Sequence, residues 1–454
     1  MLFGSTVFLF TFLPVFLIVY YLVPRPLKNA VLLAGSLVFY TWDALLRILP
    51  VAAIVLFNYV SALYIGKNLK DKKRAKRRLI FNIAVNLFFM IFLKYGETLY
   101  GSVGIVYPMG ISFLTLQMLS YSIDVYQKEA KAEKRLLDFA AFAVMFPRII
   151  AGPLVRYKDI KGQYGTRKLT LENLGEGSLL FIRGLAKRVL LAGEAGLIFN
   201  KVFSMEAGRV SALTAWLGCA AFGFHIYYGF GGYCDMACGL GRMLGFHLKN
   251  NFAYPYVARS VAEFWHRWHT SLRAWFRDYV YLPLGGKQEG YGGNIIIIWL
   301  LAALWHGVSL HFLMWGMYCA LLFLCENYVW RGVLKRLPSF FGHLYCLIFV
   351  TAGWVLFFSP SPGSAMKYLG LMIGMGGCGF TDKQGLYLLV TNGGIWLILV
   401  LGAAPAVHKV YERIIYEGRR IKTGINCTVY AVLFFLSVAY LVTEPYRPFL
   451  YFRF

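Results

Sequence analysis

Long apolar runs separated by short polar stretches dominate this chain. Crossing hydrocarbon as a helix takes about 20 apolar residues, because lipid cannot hydrogen-bond an exposed backbone. The pattern predicts such segments at 6–23, 30–49, 50–66, 79–95, 108–126, 178–200, 209–228, 293–310, 312–330, 341–358, 386–407 and 423–443. Those at 6–23, 386–407 and 423–443 carry no charged residue. A membrane β-barrel would show short alternating strands instead. The expected fold is therefore all-α, a polytopic integral membrane bundle of about 11–13 helices. It reads as one domain over 1–454, with N-terminal spans to 136, a core at 137–330 and C-terminal spans from 331.

Basic loops orient the spans. The run KNLKDKKRAKRR (67–78) is densely cationic and is read as cytoplasmic. Counting from it, Arg25, Lys28 and the 128–135 cluster fall on the same side, which puts the N-terminus outside. Lys409 to Lys422 also reads as cytoplasmic, leaving the tail from Glu444 outside. The first Lys or Arg is Arg25, so 6–23 lacks a basic n-region and is expected to be a retained span.

The middle of the chain breaks the count. FPRIIAGPL (146–154) packs two prolines and a glycine into one apolar stretch, so 139–154 is expected to be re-entrant. GFGGYCDMACGLG (229–241) is expected to be a second break. Between apolar blocks lies a polar insert, 249–292, with a predicted amphipathic interfacial helix over 259–281. On it Trp265, Trp268, Leu272, Trp275 and Tyr279 form one apolar stripe at 3-4 spacing, while His266, His269, Arg273 and Arg277 point the other way.

Composition agrees with a membrane protein. The chain is 59% hydrophobic, 18% aromatic and only 15% charged, against about 25% charged in soluble domains. Its net charge of +25 would suggest nucleic acid in a soluble protein. Here topogenic loops account for it, and no nucleic-acid module accompanies the basic runs. The eight cysteines form no CxxC pair and read as small buried hydrophobes.

Candidate chemistry is confined to a few residues. His306, in ALWHGVSLH (303–311), is an ionisable group in an uncharged apolar run, which is a site hypothesis by default. The competing reading is a histidine merely hydrogen-bonded to a neighbouring helix. His266 and His269 are three apart, not the four of a zinc-binding HExxH, and no metal is expected. The string at 374–379 matches GxGxxG but follows no strand, so it is not read as a nucleotide site.

EFWHRWHTSLRAWFRDYVYLPLGG (263–286) followed by ALWHG (303–307) resembles the membrane-bound O-acyltransferase (MBOAT) family, most closely its bacterial branch of alginate-type polysaccharide O-acetylation. FLFTFLP (8–14), NAVLLAGSLVFYTW (29–42), PMGISFLTLQMLSYSIDVY (108–126), FPRIIAGPLVRYKD (146–159) and PFLYFRF (448–454) extend the likeness along most of the chain. The resemblance implies an MBOAT-like bundle in a bacterial cell membrane. It implies an enzyme that moves an acyl group, acetyl first among candidates, from a cytoplasmic thioester donor (acetyl-CoA or an acyl carrier protein). The acceptor would be hydroxyls of an extracellular or cell-wall polysaccharide, reached directly or through an extracytoplasmic acetyltransferase partner. No bound cofactor is implied.

His306 is then the catalytic residue and His269 the second family histidine, whereas His266 stands where relatives commonly carry Arg. Trp305, Arg277, Asp278 and Tyr279 would support the site. Relatives usually read close to YFDFSGYSDMAIG where this chain has YYGFGGYCDMACG (227–239). Gly229, Gly231 and Cys234 replace polar residues, while Tyr233 and Asp235 remain as binding or supporting candidates. The departure reads as a change of acceptor polymer. Alternatives are D-alanyl transfer to teichoic acid, a transporter of polymer or lipid-linked substrate, and a catalytically silent scaffold.

Overall fold

The computed structural model describes residues 1–100, 110–150, 152–376, 378–407, 410 and 419–443. Most of the basic loop 409–422, the tail 444–454 and the first two residues of the 108–126 segment lie outside the described residues. Among the described residues all regular structure is helical, so the protein is an all-α polytopic membrane protein. Five helices are long and apolar enough to cross a membrane: Leu45–Lys67, Lys72–Gly96, Leu310–Tyr328, Ser339–Phe358 and Asn426–Thr443. The expected span 386–407 is instead a pair, Lys383–Thr391 and Gly393–Gly402, bent by 64°. Other expected spans are shorter helices, among them Phe8–Leu22 and Tyr291–His306.

The chain forms two compact units. The first is built chiefly from Met1–Arg183 and Tyr233–Lys249, the second from Gly184–Gly232 and Asn250–Tyr440. In the first unit, apolar burial gives helices little reason to associate in lipid, and polar contacts do part of that work. Asn58 donates to Asn86 Oδ1 at 2.9 Å, and Asn82 donates to Asn58 Oδ1 at 2.9 Å. All three are buried, and they join the Ile48–Lys67 and Lys72–Tyr100 helices.

The 139–154 segment is not one helix. Leu136–Ala143 ends, the chain turns, and Phe146–Ile149 follows with Pro147 in its first turn, where the missing N–H costs nothing. Phe146 anchors this piece, its ring 5.1–5.5 Å from Phe12, Phe16 and Phe39.

At 229–241 the sequence expectation fails. Ala212–Met243 is one uninterrupted helix of 32 residues. Two of its glycines, Gly232 and Gly239, serve close approach to the Leu171–Ala186 helix. In the first unit a Cβ on Gly239 would lie 2.5 Å from Gly177 O, and in the second a Cβ on Gly232 would lie 2.6 Å from Gly184 O. Small residues at such interfaces let helix backbones meet, so their cost in helix propensity is offset by packing.

Candidate active site

The polar insert folds against the spans of the second unit. Glu326, on Leu310–Tyr328, accepts the backbone N–H of Val261 (2.6 Å) and Ala262 (2.9 Å), and Ser260 Oγ accepts that of Glu263 (3.0 Å). Three first-turn donors of Val261–Arg267 are thereby satisfied. The single helix predicted over 259–281 is in fact three pieces: Val261–Arg267, Thr270–Phe276 and a π-turn at Arg277–Tyr281. The first break is at His269, which adopts left-handed φ 43° and ψ 54°. Loop 250–253 takes up the backbone groups released there. Thr270 N donates to Asn251 O (3.0 Å), Ser271 N to Asn251 Oδ1 (3.1 Å), and Ala253 N to Arg267 O (3.0 Å).

This kink reverses the expectation for His269. It does not share an outward face with His266. It is 5% exposed, with its ring 4.8 Å from Phe230 and 6.4 Å from Trp305. A left-handed non-glycine residue carries strain of about 1–3 kcal/mol and is commonest where the surroundings over-determine it.

A cavity of about 370 Å³ opens beside the kink. Trp265, Trp268, Trp299, Trp315, Trp354 and Phe357 wall it. Its polar lining includes His266, His269, Arg273, Arg277, Lys287 and His306. His306 is the last residue of Tyr291–His306, and four aromatic rings hold its imidazole: Trp305 at 4.8 Å, Phe357 at 5.2 Å, Trp315 at 5.3 Å and Phe312 at 6.0 Å. The helix stops at Gly307, where a Cβ would meet the Phe312 ring at 2.5 Å.

Charge in the cavity comes from Arg273, Arg277 and Lys287, not from the polar-insert imidazoles. Burial pushes His269 down to about 3. His266 is also held below the usual histidine range, by burial first and by Arg273 second, with Glu263 opposing. Both rings are therefore uncharged near neutral pH.

The remaining candidates divide. Arg277 lines the cavity and its Nε donates to Asp278 Oδ1 at 2.7 Å, so Asp278 orients it. Tyr279 is buried, 5.4 Å from the Trp275 ring. Trp305 packs against both histidines. Tyr233 and Asp235 belong to the first unit: Tyr233 stacks on Phe3 at 4.7 Å, and Asp235 pairs with Arg183 at 3.3 Å. The sequence reading missed Lys287 and the tryptophans at 299, 315 and 354. Nothing local marks them, because they matter only through the space they enclose.

A pocket with two uncharged imidazoles, a cationic lining and aromatic walls suits transfer of an activated group. A family model described as MBOAT, the membrane-bound O-acyltransferase family, matches residues 129–362, which include the cavity's His266, His269 and His306. The chain is 32% identical to the probable alginate O-acetylase of Pseudomonas putida over the whole of both proteins. It is 28% identical to the peptidoglycan O-acetyltransferase of Helicobacter pylori, over all of this chain and 98% of the relative. It is 27% identical to the teichoic acid D-alanyltransferase of Bacillus subtilis, over 64% of this chain and 79% of the relative. These likenesses agree with the cavity's chemistry and set aside the transporter reading: the chain belongs to the membrane-bound O-acyltransferase family and is an O-acyltransferase.

Proposed function

We propose that this enzyme moves an acetyl group from a cytoplasmic thioester to hydroxyls of an extracellular or cell-wall polysaccharide, with His306 as the general base. The observation that supports this reading most is His306 on the wall of an aromatic cavity that Arg273, Arg277 and Lys287 also line. In the step, an imidazole nitrogen of His306 accepts the acceptor's hydroxyl proton while the oxygen attacks the thioester carbonyl. The tetrahedral adduct expels the thiolate, which takes that proton back, leaving an ester and a free thiol. Arg273, Arg277 and Lys287 suit a phosphate-bearing donor such as acetyl-CoA or an acyl carrier's prosthetic arm. His269 acts by shape, as a neutral ring closing the cavity beside Trp305. Asp278 and Tyr279 position Arg277, and Tyr233 and Asp235 support the first unit.

Acetyl is preferred to D-alanyl because the O-acetylating relatives match along the full chain and the D-alanyl relative along part of it. The enzyme sits in the cell membrane with the 67–78 loop cytoplasmic and the N-terminus outside. Its partners are a cytoplasmic donor and an extracytoplasmic polymer or acetyltransferase. The test is to release ester-linked acids from envelope polymers with mild alkali, comparing wild type with His306→Ala at matched membrane levels. Loss of acetate is expected. Loss of D-alanine instead assigns the other branch, and an unchanged pattern removes His306 from the chemistry.

A further inference from the structure

Away from the cavity, the first unit gathers cations around Arg148, and their charge and hydrogen bonds do not balance. Arg148 lies in the Phe146–Ile149 helix and is 3% exposed. Its Nη1 donates to Val155 O at 3.3 Å and its guanidinium lies 4.3 Å from the Phe142 ring centre. Its Nε and Nη2 are buried with no hydrogen-bond partner.

Arg167 repeats the pattern. Its Nη1 donates to Tyr164 O at 3.1 Å, and its guanidinium lies 4.8 Å from the Phe246 ring and 5.8 Å from those of Tyr20 and Tyr164. The guanidinium also has a side-chain hydrogen bond with Tyr20, but its Nε is buried without a partner, as is the Tyr164 hydroxyl, which lies in the electrostatic field of both guanidinium groups. Buried polar groups in native proteins are almost always satisfied, so the four orphaned donor atoms of Arg148, Tyr164 and Arg167 call for an acceptor.

Charge points the same way. Lys28 is buried, donates to Tyr20 O at 2.7 Å, and feels both Arg167 and Arg25. Asp138, which acts on Tyr164, already accepts from Asn29 at 2.6 Å and pairs with Arg135 at 3.4 Å. Water would satisfy the donors but leave the positive charge in an apolar setting, which is costly. An anion answers both needs.

We propose that Arg148, Tyr164 and Arg167 form a binding site for a phosphate-bearing anion, the chemistry shared by anionic phospholipid headgroups and free phosphate. The setting favours the headgroup. The cluster sits where the apolar Phe8–Leu22 helix ends in Tyr20 and Tyr21, just before Arg25 and Lys28, the arrangement that marks headgroup depth. The Tyr20 and Tyr21 hydroxyls donate to Leu244 O (3.1 Å) and Met243 O (2.7 Å), which fixes the frame. Basic pockets between helices are a known way to hold acidic lipids.

The full chain, purified in neutral detergent, is titrated with dioctanoyl phosphatidylglycerol, dioctanoyl phosphatidylcholine or inorganic phosphate. Binding is read by the thermal unfolding midpoint and by native mass spectrometry. Phosphatidylglycerol should bind and raise the midpoint while phosphatidylcholine does not. Arg148→Gln and Arg167→Gln should each weaken that binding about tenfold, as expected for one charge-assisted contact. Arg167 is only partly buried, so its variant carries the test should Arg148→Gln fail to fold. A response to inorganic phosphate equal to that of the lipid keeps the anion site and assigns it to a soluble ligand. No binding of either anion, or binding unchanged in both variants, overturns the site.

Discussion

Asp235 and His306 look alike in the sequence and behave differently in the structure. Each is an ionisable residue set in an apolar helix. Asp235 is 2% exposed and has Arg183 at 3.3 Å, so its charge is settled within the first unit. His306 packs on Trp315 and Phe357 and with them lines a cavity of about 370 Å³. An ionisable group inside a membrane segment is a functional candidate by default. What separates the two is the neighbour: Asp235 meets a counter-charge, the setting of a strut, and His306 meets open volume, the setting proposed for the reactive group.

The sharpest way to break that comparison is to measure acyl transfer in membranes carrying each variant at equal levels. His306→Ala should lower the rate by roughly 10²–10⁴-fold, the range for removing a general base, with little change in thermal stability. Asp235→Asn should leave the rate within about threefold while lowering stability by about 2 kcal/mol, the scale of a charged hydrogen bond. A folded Asp235→Asn protein that cannot transfer would put Asp235 with His306 and end the distinction. The double variant Arg183→Met, Asp235→Leu sharpens it further. Apolar replacement of both partners should recover most of the lost stability, since the pair's worth is largely offset by its desolvation.

How much of this was legible beforehand follows from the same distinction. The helical character of the apolar stretches was legible because it depends on local sequence, whereas the 64° bend within 386–407 was not. The Gly229–Gly241 stretch could not, because its glycines were judged as breakers when the backbone opposite, at Gly177 and Gly184, decides their use. The break at His269 was invisible for a similar reason. The 3-4 spacing runs straight through it, and the hydrogen bonds that Asn251 accepts and Ala253 donates hold the kink from a distant loop. His306 stands out from its own context and lines the cavity, whereas Lys287, Trp299, Trp315 and Trp354 line it without standing out, since a cavity wall has no local signature.

The kink also gives His269 a measurable acid response. Its ring titrates at about 3 in the folded protein against 6.5 as the ordinary value. Above 6.5 both folded and unfolded states are neutral there, and the group has no pH effect. Below it the unfolded chain binds a proton that the folded chain refuses until about 3. Stability should therefore fall as pH drops through that window, by at most about 1.4 kcal/mol per pH unit. Unfolding midpoints between pH 7 and 4 should decline more steeply in wild type than in His269→Gln. Equal slopes would mean that the buried ring is not what the acid attacks.

The smallest effect concerns Lys287, which lines the cavity but is otherwise exposed. If the cavity's cations act on an anionic donor, an exposed lysine contributes through a screened field and not through a fixed hydrogen bond. Lys287→Ala should then raise KM for the donor about two- to threefold and leave kcat unchanged. The difference should vanish by about 0.5 M salt, where the Debye length is only a few ångströms. Arg273→Ala, in a more enclosed position, should show a larger change in KM that persists in salt. Should the two variants respond to salt alike, the cations would form one diffuse attractive surface, and the contrast between a fixed charge and a screened one would not extend to the donor.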